Sequence, residues 1–313
     1  MSTSRSEWYR TLHPDKRKRI DRLHRVNPYW NLVGVLFALS WIATATIMLR
    51  ADSWAVYLPG YVFVGLLIYG MTNLMHEGIH GTLFRVRWLD NWFGLMMGAP
   101  ALLPFTSYRI SHQLHHRHTR TEHDPNEFAN IVENQSLLPA FFYAWLLLGM
   151  AVFAVRFPYV ALQHATPVER RRIVFEHGIL LVMLGAVLAA SWWFDYVAAV
   201  AHVWLAPLAV ASFQGNVRSW AEHTLTVPGN SLTDTRTVTS NRLFSFLSIN
   251  QNYHLEHHLF PGVPWYNLPK LHRILRDDFT AAGASICHSY TRFLWDALRA
   301  GVRGARPAIR NMN

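Results

Sequence analysis

Eighteen histidines and one cysteine bound the chemistry open to this chain of 313 residues. Eight of the histidines fall into three groups with metal-ligand spacing. His76 and His80 stand i and i+4, so both imidazoles fall on one face if the second apolar helix runs on past Met75. His112, His115 and His116 follow as His-x-x-His-His, and the pattern returns at His254, His257 and His258. A ninth candidate, His223, follows Glu222. Crowding imidazoles into a largely apolar setting costs desolvation unless a metal or mutual hydrogen bonds satisfy the rings. Eight or nine nitrogens exceed what one ion can take, so the pattern predicts two. All-nitrogen ligation with open positions suits iron and oxygen chemistry better than a closed, four-coordinate structural zinc. Ligating histidines also need partners for the other ring nitrogen, and Glu77, Asp124, Glu222 and Glu256 are the candidates. Cys287 alone excludes an intrachain disulfide framework and any multi-cysteine zinc or iron–sulfur site.

The remaining histidines read differently. His13, His24, His164, His272 and His288 have no neighbour at ligand spacing and are expected to be solvated side chains. His202 lies inside an apolar stretch, where a packing or hydrogen-bonding role is favoured, and His177 beside Glu176 is expected at the membrane interface. His118 and His123 adjoin the second group without its spacing and suit a positioning role.

The elements that must hold these residues are membrane helices. The chain is 51% hydrophobic and only 15% charged, against roughly 25% charge in an average soluble domain. Five stretches, Leu32 to Leu49, Trp54 to Met75, Leu137 to Val155, Gly178 to Phe194 and Tyr196 to Gln214, lack Lys, Arg, Asp and Glu and are long enough to span. Arg50 to Ser53 and the single Asp195 separate two pairs of them as tight hairpins. Of the 29 basic residues all but Arg50 lie on one side of those hairpins, which the positive-inside rule places in the cytoplasm. The net charge of +10 is thus a membrane pattern and speaks against a nucleic-acid partner.

The expected fold class is an all-α integral membrane protein, with four transmembrane helices in two hairpins and a cytoplasmic histidine-rich helical cap. A single domain over 1–313 is the simplest parse. It comprises a cytoplasmic basic segment 1–31, a first hairpin 32–75, a loop 76–177 with the first two histidine groups, a second hairpin 178–214 and a cytoplasmic region 215–313. Within that scheme Leu137 to Val155 must enter and leave on the cytoplasmic side or lie along the interface, because a fifth crossing would export Arg170, Arg171 and Arg172. The first stretch reads as an uncleaved anchor, and Trp92 to Phe105 as a partly immersed connection.

His-Glu-Gly-Ile-His at 76 to 80, His-Gln-Leu-His-His at 112 to 116 and His-Leu-Glu-His-His at 254 to 258 closely resemble the three histidine boxes of the integral-membrane fatty acid desaturase and hydroxylase superfamily. The resemblance runs from about Leu32 to His272. Leu259-Phe260-Pro261-Gly262-Val263-Pro264-Trp265 and Ala221-Glu222-His223 look like bacterial acyl-lipid and carotenoid-modifying members. It implies a non-haem di-iron centre at the cytoplasmic face of a bacterial inner membrane, held by the eight box histidines and His223, with O2 as co-substrate. Some members add a water-linked asparagine near the extra histidine; here Ser219 stands four residues before it, leaving Asn216 and Asn250 as loose candidates. The haem signature His-Pro-Gly-Gly of fused members is missing, so electrons are expected from a separate carrier such as a ferredoxin or a cytochrome with its reductase.

The implied reaction is desaturation of a fatty acyl or related lipid-like chain, with hydroxylation or ketolation of a lipid or carotenoid as the alternative from the same superfamily. A rival from another class is a zinc intramembrane protease, since His76-Glu77-Gly78-Ile79-His80 also satisfies His-Glu-x-x-His with Glu77 as general base. That reading lacks an Asp-Gly motif and leaves both His-x-x-His-His triplets idle. A metal transporter would want ligands near the bilayer midplane, where this chain has almost none.

Overall fold

The computed structural model describes residues 5–299 apart from 133 and 135, and it is mostly helical. Helices of six residues or more are, in chain order, α1 (Arg5–Thr11), α2 (Pro14–Leu23), α3 (Leu32–Ala51), α4 (Trp54–Ile79), α5 (Arg87–Gly98) and α6 (Phe105–His118). There follow α7 (Leu138–His164), α8 (Pro167–Trp193), α9 (Val197–His223, with a π-helical turn at Ala201–Leu205), α10 (Arg242–Leu247), α11 (His254–Leu259) and α12 (Leu268–Ala281). A stretch over 290–299 is also helical. One element lies outside the all-α expectation: strands β1 (Thr237–Val238) and β2 (Ile286–Cys287) pair in parallel.

The sequence marks where the long helices begin and end. Asp52 ends α3 in a left-handed conformation, φ 40°, and Asp195 turns the chain between α8 and α9 at φ 59°. Both residues are of the short polar kind that tolerates this region. Helix α8 opens on a capping box, in which the Thr166 hydroxyl accepts from the Glu169 N–H and the Glu169 carboxylate accepts from the Thr166 N–H, with Pro167 at the first helical position. That cap starts the helix well before Gly178, so Arg170, Arg171 and Arg172 ride on its first turns and are not loop residues.

Five helices, Pro28–Ala51, Trp54–Ile79, Ala140–His164, Pro167–Trp193 and Val197–His223, are long and apolar enough to cross a membrane. The third bears on the two placements expected for Leu137 to Val155, a return to the same side or a position along the interface. A segment that enters and leaves on one side needs a turn at its middle, whereas α7 is unbroken over 27 residues with Pro158 inside it.

Contacts divide the chain into two compact units. One comprises Asn27–Ser111 and Met150–Gly215. Its core includes Met48, Tyr57, Val64, Ile68, Tyr69, Trp204 and Ala211. Gly65 lets α4 and α9 approach so closely that a Cβ there would meet the Pro207 carbonyl at 2.9 Å. Outside that core Leu36, Ile42, Leu181 and Val182 are exposed, an apolar exterior suited to lipid. His202 belongs here: its ring stacks on Tyr57 at 4.1 Å and its Nδ1 is hydrogen-bonded to the Tyr61 hydroxyl.

The other unit comprises Met1–Val26, His112–Gly149 and Asn216–Asn313. It is built around Trp8, Ile20, Leu255, Leu259, Leu271 and Phe279. Leu255 and Leu259, one helical turn apart on α11, are fully buried in that core. Anchoring the helix by this apolar pair leaves its histidines to the other faces.

Candidate metal centre

Helix α6 presents His112, His115 and His116 one turn apart, α11 presents His254, His257 and His258 with the same spacing, and α9 ends on His223. All seven lie in one compact unit. His115, His223, His254 and His258 each bring one ring nitrogen to within 4.8 Å of the others. The Nε2 atoms of His223 and His254 are 2.9 Å apart. On the neighbouring side, His116 Nε2 lies 2.9 Å from His112 Nε2 and 3.1 Å from His257 Nε2. The two groups interlock where the His116 and His258 rings stack at 4.2 Å.

These contacts are hard to satisfy with imidazoles alone. Each neutral ring nitrogen carries either one hydrogen or one lone pair, so His116 Nε2 cannot bond both partners at once. A cation would resolve the conflict. Two nitrogens each about 2.1 Å from one ion stand about 3.0 Å apart at a right angle and about 3.4 Å apart at a tetrahedral one. The observed 2.9 to 3.1 Å matches the right angle. His223 Nδ1 adds a buried nitrogen with no hydrogen-bond partner among the described residues. Burial holds the His254 imidazolium well below its usual range, which keeps the ring in the neutral form that a metal needs. At His115 burial also pulls downward, but the Asp124 carboxylate outweighs it and the net shift is upward.

Among the carboxylates, Asp124 is buried and accepts from His115 Nδ1 at 2.9 Å, leaving His115 Nε2 for the centre. Backbone N–H groups of Arg120 and Asn126, each at 2.9 Å, fix it in turn. Glu222 is held by Arg218 and stands 3.5 Å from His254 Nε2. Glu256, fully buried, turns the other way and accepts from the Thr237 hydroxyl and from His272 Nδ1, not from a box histidine. His272, expected to be solvated, is therefore a buried-network residue. Asn216 donates to the Leu146 carbonyl at 3.1 Å, and Asn250, at φ 49°, donates to the Trp265 carbonyl at 3.2 Å. Among the described residues neither asparagine is hydrogen-bonded to a histidine. His118 and His123 face each other edge-on at 5.7 Å.

In the other unit, His76 lies on the last turn of α4 and His80 caps it, their rings 5.0 Å apart. Desolvation pushes the His80 imidazolium down to about 3. Glu77 is buried and accepts from the Thr82 hydroxyl at 2.7 Å.

Three further groups stand at the centre. Thr119 lies 3.4 Å from His258 Nδ1 and binds the His115 carbonyl one turn back. Arg218 sits between Glu222 and His254 Nδ1, the latter at 3.3 Å. The buried Arg120–Glu127 pair braces the Asp124 turn. The i, i+4 spacing of Arg218 and Glu222 was a visible signal, whereas Thr119 and Arg120 carried none.

A family model described as fatty acid desaturase matches residues 52–290. The chain is similar to the sn-1 oleoyl-lipid 12-desaturase of Picosynechococcus sp., 24% identical with 92% of this chain and 89% of that one covered. It is similar to the dihydrorhizobitoxine desaturase of Bradyrhizobium elkanii, 28% identical over 79% and 76%. The human sphingolipid delta(4)-desaturase/C4-monooxygenase DES2 is 26% identical over 94% and 92%.

Proposed function

The chain belongs to the fatty acid desaturase family, and we propose that it is an O2-dependent enzyme with two non-haem irons that places a double bond in a lipid-like chain. Membership makes it an oxidoreductase and retires the protease reading of His76 to His80. The observation that carries the proposal is the convergence of imidazole nitrogens at right-angle spacing in a site without cysteine. His76, His80, His112, His115, His116, His223, His254, His257 and His258 are the proposed ligands.

The bound irons would supply the reduction of O2 and the removal of hydrogen from unactivated methylenes. In the net reaction the substrate loses two neighbouring hydrogens, a carrier gives two electrons, the medium gives two protons, and both oxygen atoms leave as water. The protein's share is positioning. Asp124 fixes the tautomer of His115, Arg218 holds Glu222 beside His254, and Leu255 with Leu259 seats α11 in a dry core. Separate ferredoxin or cytochrome carriers with a reductase fit the electron demand.

We place the histidine cap and both termini in the cytoplasm of a bacterial inner membrane, with four crossings. Helices α7, α8 and α9 lie in sequence between α6 and α11, yet His116 of α6 and His257 of α11 are 3.1 Å apart. An odd number of crossings among those three would put the two histidines on opposite sides of the membrane. The hairpin of α8 and α9 is the natural crossing pair. Arg156 within α7, and Arg170, Arg171 and Arg172 at the start of α8, favour α7 as the helix that lies along the interface.

Relatives named for oleoyl-lipid and sphingolipid support a lipid-like substrate, and the dihydrorhizobitoxine enzyme is named for a different one. Oxygen insertion stays as the second reading because one relative's name joins desaturase to C4-monooxygenase. Supplying labelled dioxygen decides between them. A product short of two hydrogens, with the label in water, supports desaturation, and label retained in the product as hydroxyl or ketone overturns it.

A further inference from the structure

Helix α6, which carries His112, His115 and His116, starts at Phe105, and the Tyr108 N–H donates to the Pro104 carbonyl. The residue before it is Pro104, whose side chain can accept nothing, and the run Leu103-Pro104-Phe105 offers none of the Ser, Thr, Asp or Asn residues that normally serve a helix start. A carboxylate from another helix does so instead. Glu176 of α8 is buried, 3% exposed; its Oε2 accepts from the Thr106 N–H at 2.7 Å and its Oε1 from the Thr106 hydroxyl at 2.6 Å. Thr106 itself has no solvent exposure. Two turns away on α8, Glu169 binds Arg109 of α6 at 2.9 Å.

We propose that Glu176 is a positioning residue for the metal centre: it fixes the start and rotation of α6, with Glu169 as the second point of the clamp, and so sets where His112, His115 and His116 point. The proposal rests on the metal reading above. Two facts of the geometry support it. A two-pronged bond to one residue fixes helix rotation as well as helix end, since both Thr106 donors must meet the same carboxylate. The second contact lies three residues on, on the same face of α6, so rotation about the first is blocked. A negative group at the first turn also complements the helix dipole.

Glu176 is distinct from the groups that touch the histidines. Asp124 acts on one ring, whereas Glu176 acts through the helix on three. Moving it should therefore disturb all three ligands of α6 and leave the α11 triplet in place.

The test compares wild type with Glu176→Ala and the milder Thr106→Val, which removes one donor and keeps the N–H. Thr106→Ser, which retains both donors, serves as the rescue. Hydrogen exchange of the metal-free protein reads the clamp directly. The amides of α6 should exchange several-fold faster in Glu176→Ala, with the amides of α11 unchanged. Cobalt loading then reads the consequence. Metal affinity should fall several-fold in Glu176→Ala with an altered ligand-field spectrum, and Thr106→Ser should keep the wild-type affinity and spectrum. Unchanged α6 exchange overturns the clamp, and faster exchange with wild-type cobalt affinity and spectrum overturns its role at the centre. Should Glu176→Ala fail to fold, Thr106→Val decides by the same two measurements. Wild-type protein that takes no cobalt or iron would refute the metal reading, and the exchange result would still judge the clamp.

Discussion

His272 donates from Nδ1 to the carboxylate of Glu256, a group with no solvent exposure that sits between His254 and His257 on α11. The only other hydrogen bond to that carboxylate among the described residues comes from the Thr237 hydroxyl of β1. The His272 ring also packs on Tyr253 at 5.4 Å and on Phe279 at 6.1 Å. Glu256 thus ties the third histidine box to α12 and to the small strand pair.

Removing His272 leaves a buried acceptor short of a donor, which costs about 1–3 kcal/mol. His272→Ala is expected to lower the unfolding midpoint in detergent by the equivalent of that loss and to weaken turnover. His164→Ala removes an exposed ring and should match wild type. A denaturation curve for His272→Ala that overlays the wild-type curve would show that the bond stabilises nothing.

Metal content is the most direct check on the centre. Carefully prepared protein should carry two irons per chain, because right-angle nitrogen spacing recurs in both halves of the histidine cluster. Elemental analysis finding one tightly held zinc in active protein would contradict the di-iron proposal and the ligand assignment together.

Asp124 is expected to tune affinity without touching the metal. Asp124→Asn keeps the size of the side chain but weakens the hold on the His115 tautomer, and metal affinity should drop about 10- to 100-fold. Asn216→Ala is the control, since Asn216 is spent on the Leu146 carbonyl. Equal affinities in the two variants would remove Asp124 from the centre.

Why some of this was legible in the sequence and some not follows from the range of each interaction. The i, i+3, i+4 spacing of His112, His115 and His116 is a local property of a helix, and α6 realises it. His76 on α4 with His80 at its cap follows in the same way from an apolar run that continues past Met75. The partner of Glu256, by contrast, lies sixteen residues on and is chosen by how Leu271 and Phe279 seat α12 in the core. Thr106 is a further case, because the missing cap before Phe105 could be read locally while its replacement seventy residues away could not. Asn250, a loose candidate from the resemblance, stands at a positive φ and donates to the Trp265 carbonyl, a local turn that no spacing in the sequence marks. The β1–β2 pair is two residues long, too short for any period to register.

Topology yields the last prediction. His116 and His257 are neighbours in one compact unit, so the chain between them must cross the membrane an even number of times. Five helices are long enough to span, and with α3 and α4 as the first hairpin of the proposed topology, an even count allows at most two of α7, α8 and α9 to cross. If α8 and α9 are that pair, the turn between α7 and α8, the termini and Cys287 all face the cytoplasm. In intact cells a membrane-impermeant thiol reagent should then miss Cys287. It should also miss a cysteine placed at the exposed His164 in a Cys287→Ser background, and label both sites once the membrane is opened. It should reach a cysteine placed at Asp195 in either state. Labelling of His164→Cys in intact cells would mean that α7 crosses and α8 returns, which leaves α9 on the inner face and overturns the assignment of the second hairpin. Labelling of Cys287 in intact cells would place β2 outside and defeat the cytoplasmic cap.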